Sequence, residues 1–163
     1  MKKQYILLVL IFWMGVIFFF SSQTYEQQSL THQLASFRNT PLEQMLQGYY
    51  FYYGGNEVSV YALGIEGFLE FIIRKGAHFC IFFVLGLLTY ALLQYKWNKS
   101  FKTIIISFVF VVLYACFDEF HQLLTGDRTA LWQDVVLDSI GGLCGILSLT
   151  LYNYIKNDKL DKK

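Results

Sequence analysis

Asp118, Glu119, His121 and Gln122 stand together in the run DEFHQ, and Arg128, Asp134 and Asp138 follow them closely. If this stretch is helical, Asp118, His121 and Gln122 fall at i, i+3 and i+4 and share a face, with Glu119 turned about 100° away. A carboxylate beside an imidazole fixes the ring tautomer and suits proton transfer, whereas a guanidinium grips phosphate or carboxylate through paired donors. Upstream, Glu70, Arg74 and His78 recur every four residues and so share a face of another helix, with Lys75 alongside. The residue types therefore divide into two sets. His121, Asp118, His78 and Asp134 are the candidates for moving protons. Arg74, Lys75, Arg128, Glu119 and Gln122 are the candidates for holding an anionic ligand.

What surrounds these residues is apolar. Of 163 residues, 55% are hydrophobic, 19% aromatic and only 15% charged, too little polarity to clothe a soluble domain of this size. An ionisable side chain at bilayer depth must face protein, water or a partner charge, so the cluster reads as a site. The formal charge of +1 offers no basic face for nucleic acid. Cys80, Cys116 and Cys144 lack CxxC spacing and read as buried structural thiols.

The expected fold is an all-α integral membrane protein, a compact four-transmembrane-helix bundle forming a single domain over 1–163. Its spans are expected at about 5–22, 74–95, 102–121 and 134–153, with a long extracytoplasmic first loop over 23–73. The first run ends in FFFSSQ, with bulky Phe20 where a small-x-small cleavage signal would want a small residue, and so reads as an uncleaved span. The long loop is expected to hold short helices on the membrane surface, one of them opened by Pro41. A further helix is expected to begin near Ile65 and run into the second span. The tyrosines of YYFYY, Tyr49 to Tyr53, read as interface anchors or as a ring-stacking platform.

Nine basic residues (Lys2, Lys3, Lys96, Lys99, Lys102, Lys156, Lys159, Lys162 and Lys163) fall on one side of the expected spans, against Arg38, Arg74, Lys75 and Arg128 on the other. The positive-inside rule then puts both termini in the cytoplasm and the candidate residues at the outer face. On the fourth span Asp134, Asp138, Gly141 and Gly145 form one stripe, and the glycines permit close approach of another helix. That packing would gather Arg74, His78, Asp118, His121, Arg128 and Asp134 in one outward-facing cavity. The bland alternative is a set of buried ion pairs that holds the bundle together without binding anything. No cofactor is expected, and no metal: DEFHQ is not HExxH, the donors of His78, Asp118, His121 and Asp134 come from separate helices, and the arginines would repel a cation.

At these positions the chain resembles the VanZ-like family, named for a membrane protein associated with resistance to the glycopeptide teicoplanin. The matching elements are FSSQ at Phe20 to Gln23, RKxxHF at Arg74, Lys75, His78 and Phe79, and DExHQ at Asp118, Glu119, His121 and Gln122. Arg128, Asp134, Gly141 and Gly145 fit the family's following pattern. Gly126-Asp127 departs from a frequent Pro-Gly, and Asp138 from a frequent Asn. The resemblance implies a multi-pass cell-envelope protein linked to glycopeptide susceptibility. Enzyme and binding protein both stay open: the polar cavity would either modify or simply hold a lipid-linked or peptidoglycan-related precursor or an anionic headgroup, in contact with membrane lipids. Serine hydrolysis lacks support because Ser139 has no nucleophile-elbow context, and transport because no inverted repeat is evident.

Overall fold

The computed structural model describes residues 3–24, 26–97, 100–125 and 131–161. Four long helices carry the chain through the bilayer: α1 (Lys3–Ser21), α4 (Val60–Trp97), α5 (Phe101–Leu124) and α6 (Trp132–Asp161). The protein is an all-α, multi-pass membrane bundle, as its composition implies. Phe12, Phe19, Leu113, Phe120, Leu147 and Leu151 stand exposed on its outer surface, where hydrocarbon takes the place of water. Inside, Leu10, Ile17, Phe82, Leu85, Val111, Ala115 and Ile146 form the packed core.

Between α1 and α4 the chain is neither structureless nor wholly helical. Single 3₁₀ turns and the short helices α2 (Thr31–Leu34) and α3 (Pro41–Leu46) come first. Pro41 sits at the start of α3, where its missing N–H is no loss. The tyrosine-rich run then forms an antiparallel hairpin, β1 (Tyr50–Tyr53) against β2 (Asn56–Ser59). Gly54 and Gly55 close it with φ of 59° and 83°, the left-handed pair that a two-residue hairpin turn demands. The expected loop over 23–73 is therefore too long. α4 already begins at Val60, breaks its helical geometry at Gly64 (φ 71°), and runs on from Ile65.

α4 packs most extensively on α6, through glycines. A Cβ added at Gly86 would fall on the Gly142 carbonyl, one at Gly141 on the carbonyl of Phe79, and one at Gly145 on that of Phe83. Backbones thus meet without intervening side chains, the small-residue packing that membrane helices use in place of a hydrophobic driving force. Cross-helix hydrogen bonds tie the middle of α1 to its neighbours: Trp13 Nε1 donates to the Ile81 carbonyl (3.0 Å), and Tyr114 Oη to that of Met14 (2.8 Å). Cys80 and Cys116 lie exposed on the helix surfaces and only Cys144 is partly covered, which corrects the expectation of buried thiols.

Candidate functional site

The end of α1, the C-terminal turns of α5 and the first turns of α6 meet α4 at one end of the bundle. Asp118 and Gln122 lie one turn apart on α5 and both point inward. Gln122 Nε2 donates to Asp118 Oδ2 (2.8 Å), and Ser21 Oγ at the end of α1 donates to Asp118 Oδ1 (2.6 Å). From α6, Asp138 reaches His78 of α4, with Oδ2 lying 3.4 Å from Nδ1. Asp118 and Asp138 are only 2% and 3% exposed, and one ligand atom from each lies within 4.8 Å of the others and of the His78 ring. Asp138 Oδ1 is buried with no hydrogen-bond partner among the described residues. One imidazole and two carboxylates at this separation can relay a proton, and they are also donors of the kind a divalent cation accepts.

A second polar group forms where α6 begins. Lys75 pairs with Asp134, and Tyr53 of the hairpin donates to the same carboxylate oxygen. The Lys75 ammonium lies 4.8 Å from the centre of the Tyr53 ring and 5.4 Å from that of Phe71, within cation–π reach of both. Burial, and then the bond to Asp134, push the Tyr53 hydroxyl well above its ordinary pKa, so it remains a donor at any physiological pH. Nearby, Glu119 accepts from the Leu131 backbone N–H (2.6 Å). Every charge in this group has its partner within the protein.

Arg74 points elsewhere. One residue before Lys75 and so about 100° around the helix, it pairs with Glu70 at 2.7 Å. The other oxygen of Glu70 accepts from the Leu30 N–H (3.3 Å) and Ser29 Oγ (3.4 Å), which anchors the segment after α1 onto α4. These residues border an open pocket of about 530 Å³. Its polar wall includes Gln23, Gln28, Glu70, Arg74 and His78, and its apolar one Phe20 and Ile81. Beside it a cavity of about 20 Å³, wide enough for one water, is lined by Ser21, Gln28 and His78.

The residues singled out from the sequence thus separate. His78 and Asp118 come together around Asp138, whereas Lys75, Asp134 and Glu119 join the hairpin group, and Arg74 stands in the pocket wall. The expected Asp118–His121 pair is not formed, because Asp118 is engaged by Ser21 and Gln122. The His121 ring instead stacks on Phe18, with centroids 4.1 Å apart, and its Nδ1 has no partner among the described residues. Arg128 lies outside the described residues. Sequence reasoning did not select Ser21, Tyr53, Glu70 or Asp138. Asp138, one turn beyond Asp134 on the glycine face, and Glu70, one turn before Arg74, carried usable signals.

The sequence model of one protein family, described as VanZ/LLP1, matches residues 6–153. The chain belongs to the VanZ/LLP1 family. No curated protein matches the chain, and no solved structure does. The three sequence elements that carry the VanZ-like resemblance meet in space, although they are far apart in the chain. Ser21 of FSSQ bonds Asp118 of DExHQ, Gln122 of the same element completes that bond pair, and His78 of RKxxHF stands beside them. Asp138 is the partner of His78.

Proposed function

We propose that this VanZ/LLP1 protein holds an anionic amphiphile of the cell envelope, a lipid headgroup or a lipid-linked peptidoglycan precursor, in the pocket beside Arg74, and that this binding alters glycopeptide susceptibility. The observation that carries the reading is the wall of the pocket. A guanidinium paired with the Glu70 carboxylate, an imidazole and four glutamine amides sit beside Phe20, Ile73 and Ile81, so a polar head and an acyl or isoprenyl chain would each find suitable surface. Arg74 Nη2 donates to Glu70 Oε1 (2.7 Å), which holds the guanidinium at the wall of the pocket.

Lysine at position 74 would keep the ion pair with Glu70 while giving up the planar fork that grips phosphate. Arg74→Lys is therefore expected to match wild type in folded yield and to bind extracted envelope lipids about tenfold more weakly or worse. Size-exclusion profile, lipid mass spectrometry of the purified protein, and teicoplanin susceptibility of a host expressing each variant are the measurements. Wild-type lipid retention by Arg74→Lys would remove the pocket from the mechanism.

We also propose that both termini are cytoplasmic and the pocket outward-facing, supported by the nine-to-four distribution of basic residues. In a cysteine-free background, Tyr52→Cys should react with an impermeant reagent in intact cells and Lys156→Cys only after lysis. The reverse pattern would invert the protein. For Lys75, Asp134 and Glu119 the structural reading is favoured, because they pair with one another's surroundings and not with the pocket.

A further inference from the structure

We infer that His78, Asp118 and Asp138 form a binding site for one divalent transition-metal ion of the zinc or manganese type. The inference goes beyond the lipid pocket and does not depend on what occupies it. Three helices deliver one ligand atom each, all within 4.8 Å of one another. The separation of 3.4 Å between His78 Nδ1 and Asp138 Oδ2 is long for a charge-assisted hydrogen bond. It equals the edge of a tetrahedron whose metal–ligand bonds are about 2.1 Å, the usual length for zinc with nitrogen and oxygen donors.

Charge and hydrogen bonding point the same way. Two carboxylates are buried here in an apolar bundle, where an uncompensated anion is costly. The nearby cations are engaged elsewhere, Arg74 with Glu70 and Lys75 with Asp134, so the repulsion expected from the sequence is offset at Arg74. Asp138 Oδ1, buried in a residue only 3% exposed and lacking a partner among the described residues, is an acceptor that a cation would satisfy. Asp118 accepts one hydrogen bond on each oxygen, from Ser21 and from Gln122, the outer-shell support that orients a ligating carboxylate. His78 and Ser21 also line the cavity of about 20 Å³, which leaves space for a water or a ligand oxygen as a further donor. One imidazole with two carboxylates and no thiolate suits zinc or manganese better than copper(I) or calcium.

The test uses the full chain, without a polyhistidine tag, purified in detergent and stripped with chelator. Zinc is expected to bind with one equivalent per chain and to raise the melting temperature. X-ray absorption of the zinc form should show nitrogen and oxygen neighbours with a single imidazole and no sulfur. Asp138→Asn and His78→Gln should weaken zinc binding about tenfold or more. His32→Gln, on α2, and Arg74→Lys should leave it unchanged, so that failure of the lipid pocket and failure of the metal site are read separately. Absence of saturable binding to wild type would overturn the site, as would two folded variants that bind like wild type. Should either variant not fold, the imidazole count of the wild-type spectrum decides, and any count other than one overturns it.

Discussion

Gly145→Ala is expected to cost the bundle most of its folded population, although it adds one methyl group. That Cβ would fall on the carbonyl oxygen of Phe83 and press on the Leu87 nitrogen, both backbone atoms of α4. A side chain can rotate away from such an intrusion, but a helix backbone must translate as a whole. α4 would then lift off α6 along the seam where Gly86 faces Gly142. Overpacking commonly costs about 1–3 kcal/mol, and contact with backbone belongs at or above the upper end. Folded yield and melting temperature in detergent are the readouts. Gly76→Ala is the matched control, since its Cβ would meet nothing within 4 Å and alanine favours helix by up to about 1 kcal/mol. A Gly145→Ala protein that melts like wild type would refute close packing of α4 on α6.

Lys75→Met should be strongly destabilising for a single change of charge. It removes the cation from Asp134 while Tyr53 still donates to that carboxylate, so a partly buried anion is stranded at the start of α6. Breaking a buried pair costs about 3–5 kcal/mol and an exposed one about 0–1. The side chains of Lys75 and Asp134 are 20% and 16% exposed, which places the expected loss at roughly 2 kcal/mol between those limits. Adding Asp134→Asn to Lys75→Met should recover most of it, because an amide needs no counter-charge and still accepts from Tyr53. A double-mutant cycle on thermal or denaturant stability measures the coupling. Additive single effects would mean that the pair contributes nothing beyond its separate contacts.

The four spans were legible because hydrocarbon imposes a strong constraint: a helix must be long and continuously apolar to cross it. The meeting of α4 and α6 was legible for a related reason, since Gly141 and Gly145 stand four residues apart with acidic residues on the same stripe. The hairpin was not foreseen. Tyr49 to Tyr53 read as interface anchors or a ring-stacking platform, although Gly54-Gly55 followed by Asn56-Glu57-Val58 was a turn signal followed by a strand. In the site, helical spacing told which residues share a face but not which neighbour that face meets. Asp118 and His121 satisfy the spacing for a pair, yet the last residues of α1 settle the outcome by offering Ser21 to the carboxylate and Phe18 to the imidazole. Ser21 closes the first apolar run, and nothing local to it announces a partner 97 positions away. Arg74 and Lys75, adjacent in the chain, diverge because successive helical side chains point about 100° apart.

Asp134 and Asp138 have a further consequence for the order in which the protein is made. An aspartate near the middle of a span costs about 2.5–3.5 kcal/mol to insert, less toward the interface. α6 carries two of them in its opening turns, and their partners all precede them in the chain: Tyr53 in the hairpin, Lys75 and His78 on α4. Those partners leave the ribosome first. By the time α6 enters the bilayer, the segments that neutralise it have already been synthesised, so the span least able to insert unaided is the one that arrives when help is at hand.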